Sequence, residues 1–136
     1  MDLDVSGFAP SLALDAILDW DERRITTRTA PGLPPYLALE AMAQTCGLHL
    51  RRLHDFRIQA YLVSLTDLPH APGLGDAALT IRATLLARTK AGASYAVDVA
   101  GGPSCRVLMG LTATDNPDNL LFRERFERLC TPSLNA

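Results

Sequence analysis

Two hydrophobic periods alternate along this chain, and the places where one gives way to the other divide it into elements. From Leu37 to Leu50 apolar side chains fall on nearly every face of a helical net, and Pro34-Pro35 opens the run. Proline is tolerated in a first helical turn, because the amide it lacks would be unpaired there anyway. Ala, Leu, Met and Gln then follow, all good helix formers. A long helix is predicted over roughly Tyr36 to His54. Its last turn, Arg51-Arg52-Leu53-His54, is basic and suits the negative end of the helix dipole.

Elsewhere the period drops to two. Leu79, Ile81, Ala83, Leu85 and Ala87 alternate with Thr80, Arg82, Thr84, Leu86 and Arg88. Tyr95, Val97 and Val99 follow the Lys90-Ala91-Gly92 turn. Cys105, Val107, Met109, Leu111 and Ala113 follow Gly101-Gly102-Pro103. These are half-buried antiparallel strands of a meander with one face on a core. Ile58 to Pro69 reads as a long strand, with Ala60, Leu62, Ser64 and Thr66 on one side and Tyr61, Val63 and Leu65 on the other. Before the helix, Arg24 to Thr29 is a β-rich strand. It forms a hairpin through Trp20-Asp21-Glu22-Arg23 with Ser11 to Trp20, a stretch whose pattern alone fits strand or helix. A last helix, about residues 118–129, is capped by Asp118-Asn119 and offers Leu121, Phe122, Arg125 and Phe126 for docking.

A helix apolar all round is either a membrane span or a helix enclosed by its own domain. This one is short for a bilayer and carries Glu40 and Gln44 near its start, so enclosure is expected. The two polar residues are four apart and share one face. A carboxylate in apolar surroundings is costly unless paired or protonated. Glu40 therefore reads either as a tuned general acid or base, or as a structural carboxyl satisfied by a backbone amide or an arginine.

Composition narrows the partners. With 136 residues, one domain spanning 1–136 is expected, with a core of ordinary size. A net charge of −2 and only short basic pairs give no nucleic-acid footprint. The acidic start, Met1-Asp2-Leu3-Asp4, lacks the features of a signal peptide, and no segment is expected to span a membrane, which points to the cytoplasm. Cys46, Cys105 and Cys130 are scattered without metal-ligand spacing, and no metal or cofactor is expected.

Hairpin, long helix, then antiparallel strands is the order of the hot-dog fold, an α+β architecture in which a curled antiparallel sheet wraps one long central helix. In that frame Leu33-Pro34-Pro35-Tyr36-Leu37-Ala38-Leu39-Glu40-Ala41-Met42-Ala43-Gln44 resembles the helix of the β-hydroxyacyl-acyl-carrier-protein dehydratases, where a proline turn leads into Glu-Ala-Met-Ala-Gln. Weaker similarity covers most of the chain. Ala9-Pro10 to Asp15 resembles the family's opening motif, and His70 to Asp76 its Pro-x-Pro-Gly-Asp turn. The compact loop before the helix is closest in character to the branch associated with aryl-polyene and pigment synthesis.

The resemblance implies a homodimer or higher oligomer and acyl thioesters carried by an acyl carrier protein or by CoA. It makes Glu40 the catalytic carboxylate and Gln44 the glutamine that helps hold it. Pro35, Tyr36 and Leu37 fall in the substrate-binding first turn, whose free amides polarise the thioester carbonyl. Two departures stand out. Pro35 replaces the family's usual glycine and removes one amide, and the family's catalytic histidine has no counterpart before the helix. Of the three histidines, His49 lies nine residues beyond Glu40, about 13 Å along the axis, and reads with His54 as a surface or interface residue. His70, in a loop after a strand, is the candidate acid–base partner. A dehydratase-like enzyme is thus set against a thioesterase that uses Glu40 to activate water. A third reading is an inactive subunit that binds acyl chains or pairs with an active homologue.

Overall fold

The hairpin at the start is closed by one carboxylate. In the computed structural model, which describes residues 13–32, 35–67, 77–99, 104–113 and 118–130, Asp21 Oδ1 accepts from the amides of Arg23 and Arg24 at 2.7 and 3.0 Å. The Asp21 amide donates to the Arg24 carbonyl at 2.9 Å. These bonds favour the ionised carboxyl and hold the Asp21 pKa below the usual carboxylate value. They bend Leu14–Trp20 (β1) back on Arg24–Thr29 (β2), so the ambiguous first segment is a strand. Helix α1 follows over Pro35–Leu53, then β3 (Ile58–Thr66), β4 (Thr80–Arg88), β5 (Gly92–Val99), β6 (Cys105–Ala113) and helix α2 (Asp118–Cys130).

The six strands form one antiparallel sheet in the order β1-β2-β4-β5-β6-β3. The expected meander is present in β4, β5 and β6, but β3 does not lie beside β4. It crosses to the far edge and pairs with β6. Its alternation also fails in the middle, because the register slips between Leu62 and Ser64. At that bulge Tyr61, Leu62 and Val63 are all exposed in succession. Between β5 and β6 the backbones approach closely at Gly92, where a side chain would run into the Met109 carbonyl.

Helix α1 packs against all six strands. Five inter-strand gaps span roughly 24 Å, more than twice a helix diameter, so the sheet must curl to bring both edges to the helix. Leu37, Ala41, Met42, Cys46, Leu48 and Leu50 point into the core against Ile25, Ile81, Ala83, Val97, Val107 and Met109. Enclosure is incomplete, however. Ala38 is half-buried, and Leu39 and Glu40 are exposed, which corrects the expectation of a helix covered all round.

The core also holds hydrogen-bonded polar groups. Thr27 Oγ1 and Thr45 Oγ1 lie 2.9 Å apart, and the Thr45 hydroxyl donates to the Ala41 carbonyl at 2.7 Å. His49, expected on the surface, is fully buried. Its Nδ1 is 2.8 Å from the Tyr95 hydroxyl and its Nε2 is 2.8 Å from the Asp21 carbonyl. The neutral tautomer that suits both has Nε2–H donating to the carbonyl and Nδ1 accepting from tyrosine.

After α1 the chain reverses through Asp55 and Phe56, both with positive φ (53° and 60°), and the Phe56 amide returns to the Arg51 carbonyl at 2.7 Å. The reversal delivers Phe56 into the core, where it meets Phe126 edge-on at 5.9 Å. Phe126 meets Trp20 edge-on at 5.5 Å on its other side, and this pair of contacts anchors α2. Phe122 and Arg125 dock as expected, whereas Leu121 is exposed. Among the described residues no helix is long and apolar enough to cross a membrane.

Candidate active site

Glu40, Ala43, Gln44, Gly47 and Arg51 succeed one another at helical spacing on the face of α1 that the sheet leaves open. With Ala60, Tyr61 and Leu62 of β3, Met109 of β6, and Phe122 and Arg125 of α2, they line a cleft of about 450 Å³. Glycine at position 47 makes room at its centre. A side chain there would stand 3.1 Å from Nη1 of Arg51, whose guanidinium lies back over that turn. Long side chains on a helix lean toward its N-terminus, which carries this charge toward Glu40.

Three side chains form a chain of hydrogen bonds in the cleft wall. Arg125 Nη2 donates to Gln44 Oε1 at 2.8 Å, and Gln44 Nε2 donates to Glu40 Oε1 at 3.2 Å. The sequence offered an arginine as one way to satisfy Glu40. The structure supplies one from α2 of the same chain, acting through the amide. Burial lowers the Arg125 pKa, with Arg128 adding to the effect and Glu40 opposing it. Arg51 is more strongly affected. Burial, then repulsion from Arg125, brings it down to about 10. Its Nη2 donates to Gln59 Oε1 at 3.3 Å and to the Ala60 carbonyl at 3.1 Å, and the guanidinium stacks on Phe122 at 3.9 Å. Arg51 thereby ties α1 to both β3 and α2.

The predicted residues separate into three groups. Glu40 and Gln44 meet in the cleft. Pro35 opens α1 and Leu37 turns its side chain into the core, so the Tyr36 and Leu37 amides belong to the first turn. His70 lies outside the described residues. Neither of the other histidines lines the cleft: His49 is locked in the core, and His54 stands just beyond the end of α1 with Nε2 buried and unpaired. Burial, and secondarily Arg88, lowers the His54 pKa. No cluster of three or more metal-ligating side chains occurs among the described residues. A second recess of about 280 Å³ lies along Tyr61, Val63, Thr89 and Ser94 and offers only hydroxyls. Arg51 and Arg125 were not foreseen as site residues. The sequence showed the first only as part of a basic helix end and the second only as a docking position.

No protein-family model matches this chain, and no curated protein sequence matches it. Solved structures do. The dehydratase heterocomplex ApeI:P from Xenorhabdus doucetiae is 17% identical, with a TM-score of 0.58 over 83% of this chain and 89% of that one. AziG from S. sahachiroi is 17% identical, with a TM-score of 0.59 over 76% and 94%. A hypothetical thioesterase with coenzyme A from Streptococcus pneumoniae is 16% identical, with a TM-score of 0.55 over 74% and 87%. At these identities the likeness establishes the fold alone. The protein has a hot-dog-like α+β fold, a curled six-stranded antiparallel sheet with two helices.

Proposed function

We propose that this protein processes acyl thioesters, with Glu40 as the acid–base group and dehydration of a 3-hydroxyacyl chain as the reaction. The observation that carries this reading is the Glu40–Gln44 hydrogen bond in the wall of a cleft large enough for an acyl chain. In dehydration the carboxylate takes the α-proton, and the carboxylic acid so formed returns that proton to the departing β-hydroxyl. Water leaves, a double bond forms between the α- and β-carbons, and the carboxylate is regenerated. The Tyr36 and Leu37 amides at the start of α1 polarise the thioester carbonyl while negative charge builds on it. The thioester is carried by CoA or by an acyl carrier protein.

The second reading is a catalytically silent subunit that pairs with an active homologue. It is favoured by the absence of histidine from the described lining of the cleft. Mass spectrometry of 3-hydroxyacyl thioesters incubated with the protein separates the possibilities. The expected product is the thioester less one water. The free acid would replace dehydration by hydrolysis, and an unchanged thioester would favour the silent subunit.

We also propose that two copies pair through β3. Among the described residues this strand has one unpaired edge, and Tyr61, Leu62 and Val63 are 50, 43 and 52% exposed on it. An apolar edge strand is a template for another strand. The opposite edge, β1, is packed by α2. Light scattering of the wild type should give a dimer at micromolar concentration, and Val63→Lys should shift it to monomer, because a charge on the edge opposes pairing. A wild-type monomer would end this proposal.

A further inference from the structure

The side-chain amide of Gln44 has a donor end and an acceptor end, and only the donor end can serve a carboxylate. A neighbour that accepts no hydrogen bond settles which end turns to Glu40. The Arg125 guanidinium is such a neighbour, because it carries N–H donors alone. The Gln44 atom that meets Arg125 Nη2 at 2.8 Å is therefore the oxygen, and the NH2 group is left to face Glu40 Oε1 at 3.2 Å. Turned over, the amide would set NH2 against guanidinium and oxygen against carboxylate, two repulsive contacts in place of two attractive ones.

We propose that Arg125 is a positioning residue for Glu40, acting through Gln44 to hold the amide in the one orientation that donates to the carboxylate. This rests on Glu40 being the acid–base group. With Oε1 engaged by the amide, Oε2 is the oxygen that takes up and returns the proton. Helix α2 is built to aim this arginine. Phe126, the next residue, is wedged between Trp20 and Phe56 and fixes the helix, which turns position 125 toward the cleft. Phe122, one turn earlier, lies under the Arg51 guanidinium and fixes the same face from the other end. Burial of the Arg125 guanidinium strengthens its hold on Gln44, since a charge-assisted hydrogen bond gains when water is excluded.

The test is a double-mutant cycle on thioester turnover with Arg125→Met and Gln44→Met, with Arg125→Lys and Glu40→Gln alongside. Arg125→Met is expected to lower kcat about ten- to hundredfold, the scale of a mispositioned catalytic group, and to leave KM within a factor of about two. Gln44→Met should give a similar loss, and the double variant should lose no more than either single one, because both changes break the same relay. Arg125→Lys keeps a donor and should recover most of kcat. Turnover is referred to the folded fraction, so a lower melting temperature does not imitate the effect. An independent readout is hydrogen exchange of the Gln44 NH2 protons by NMR, slow in the wild type and fast in Arg125→Met. Losses that multiply in the double variant overturn the proposal. So does an Arg125→Met enzyme with full kcat while Glu40→Gln is inactive. A fully active Glu40→Gln enzyme instead removes the acid–base reading of Glu40, and the positioning role falls with it.

Discussion

Replacing Glu40 by glutamine is expected to reduce thioester turnover by about 10²–10⁴-fold, the usual worth of general acid–base assistance, and to leave the fold intact. Glutamine keeps the shape of the side chain, and its carbonyl oxygen still accepts from Gln44 Nε2. Only the capacity to take up and return a proton is lost. Because Glu40 is exposed in the cleft, the change should alter stability by no more than about 0.5 kcal/mol. Thermal melting and turnover, measured on the same two samples, keep the catalytic and structural roles apart. A variant that melts well below the wild type yet turns over fully per folded molecule would show that Glu40 serves the fold and not the chemistry. The sequence, read as a helix covered on every side, placed Glu40 in apolar surroundings. The open face of α1 removes that expectation.

The largest stability effect is expected at His49. In His49→Leu, the buried Tyr95 hydroxyl and the Asp21 carbonyl lose their partners, and a buried group left unpaired costs about 1–3 kcal/mol. A loss of roughly 2–5 kcal/mol is expected, read as a lowered midpoint in urea. Adding Tyr95→Phe should restore part of it, since removing both partners of a buried pair is milder than removing one. A double variant no more stable than His49→Leu would show that the Tyr95 contact carries little of the loss.

The same residue gives stability an acid-side slope. Burial holds the His49 pKa below its ordinary value; the Asp21 carbonyl and carboxylate oppose this, and Arg88 adds to it. Below about pH 6.5 the unfolded chain takes up a proton that the folded one refuses, so stability falls as pH drops through that value toward the lowered folded pKa. His54 shifts in the same direction and adds to the slope. His49→Leu should therefore flatten the slope without abolishing it, in urea titrations between about pH 7 and 5. A slope equal to that of the wild type would mean that His49 is not the buried neutral imidazole described.

How much of the molecule could be read in its residues follows from what local patterns encode. The shift from near-continuous apolar spacing to period two placed α1 and the strands, because side-chain periodicity is a property of the backbone element itself. The Trp20-Asp21-Glu22-Arg23 turn marked the hairpin, through chemistry that acts within a few residues. Glu40 and Gln44 were legible as a pair for the same reason, since four residues on a helix is a contact. What a pattern does not contain is the identity of a distant neighbour. The pattern made β3 a strand, but only the closed sheet sent it to the edge beside β6, with a bulge that exposes Tyr61, Leu62 and Val63 together. His49 looked like a polar residue for the surface, and the tertiary fold buried it by bringing Tyr95 and the Asp21 carbonyl to its two nitrogens. Glu40 looked buried, and the gap between sheet and α2 opened it to a cleft. The link from Arg125 to Gln44 spans more than half the chain. No local spacing encodes such a contact, because the position of α2 is set by the packing of Phe126 between Trp20 and Phe56, side chains that meet only once the sheet has curled.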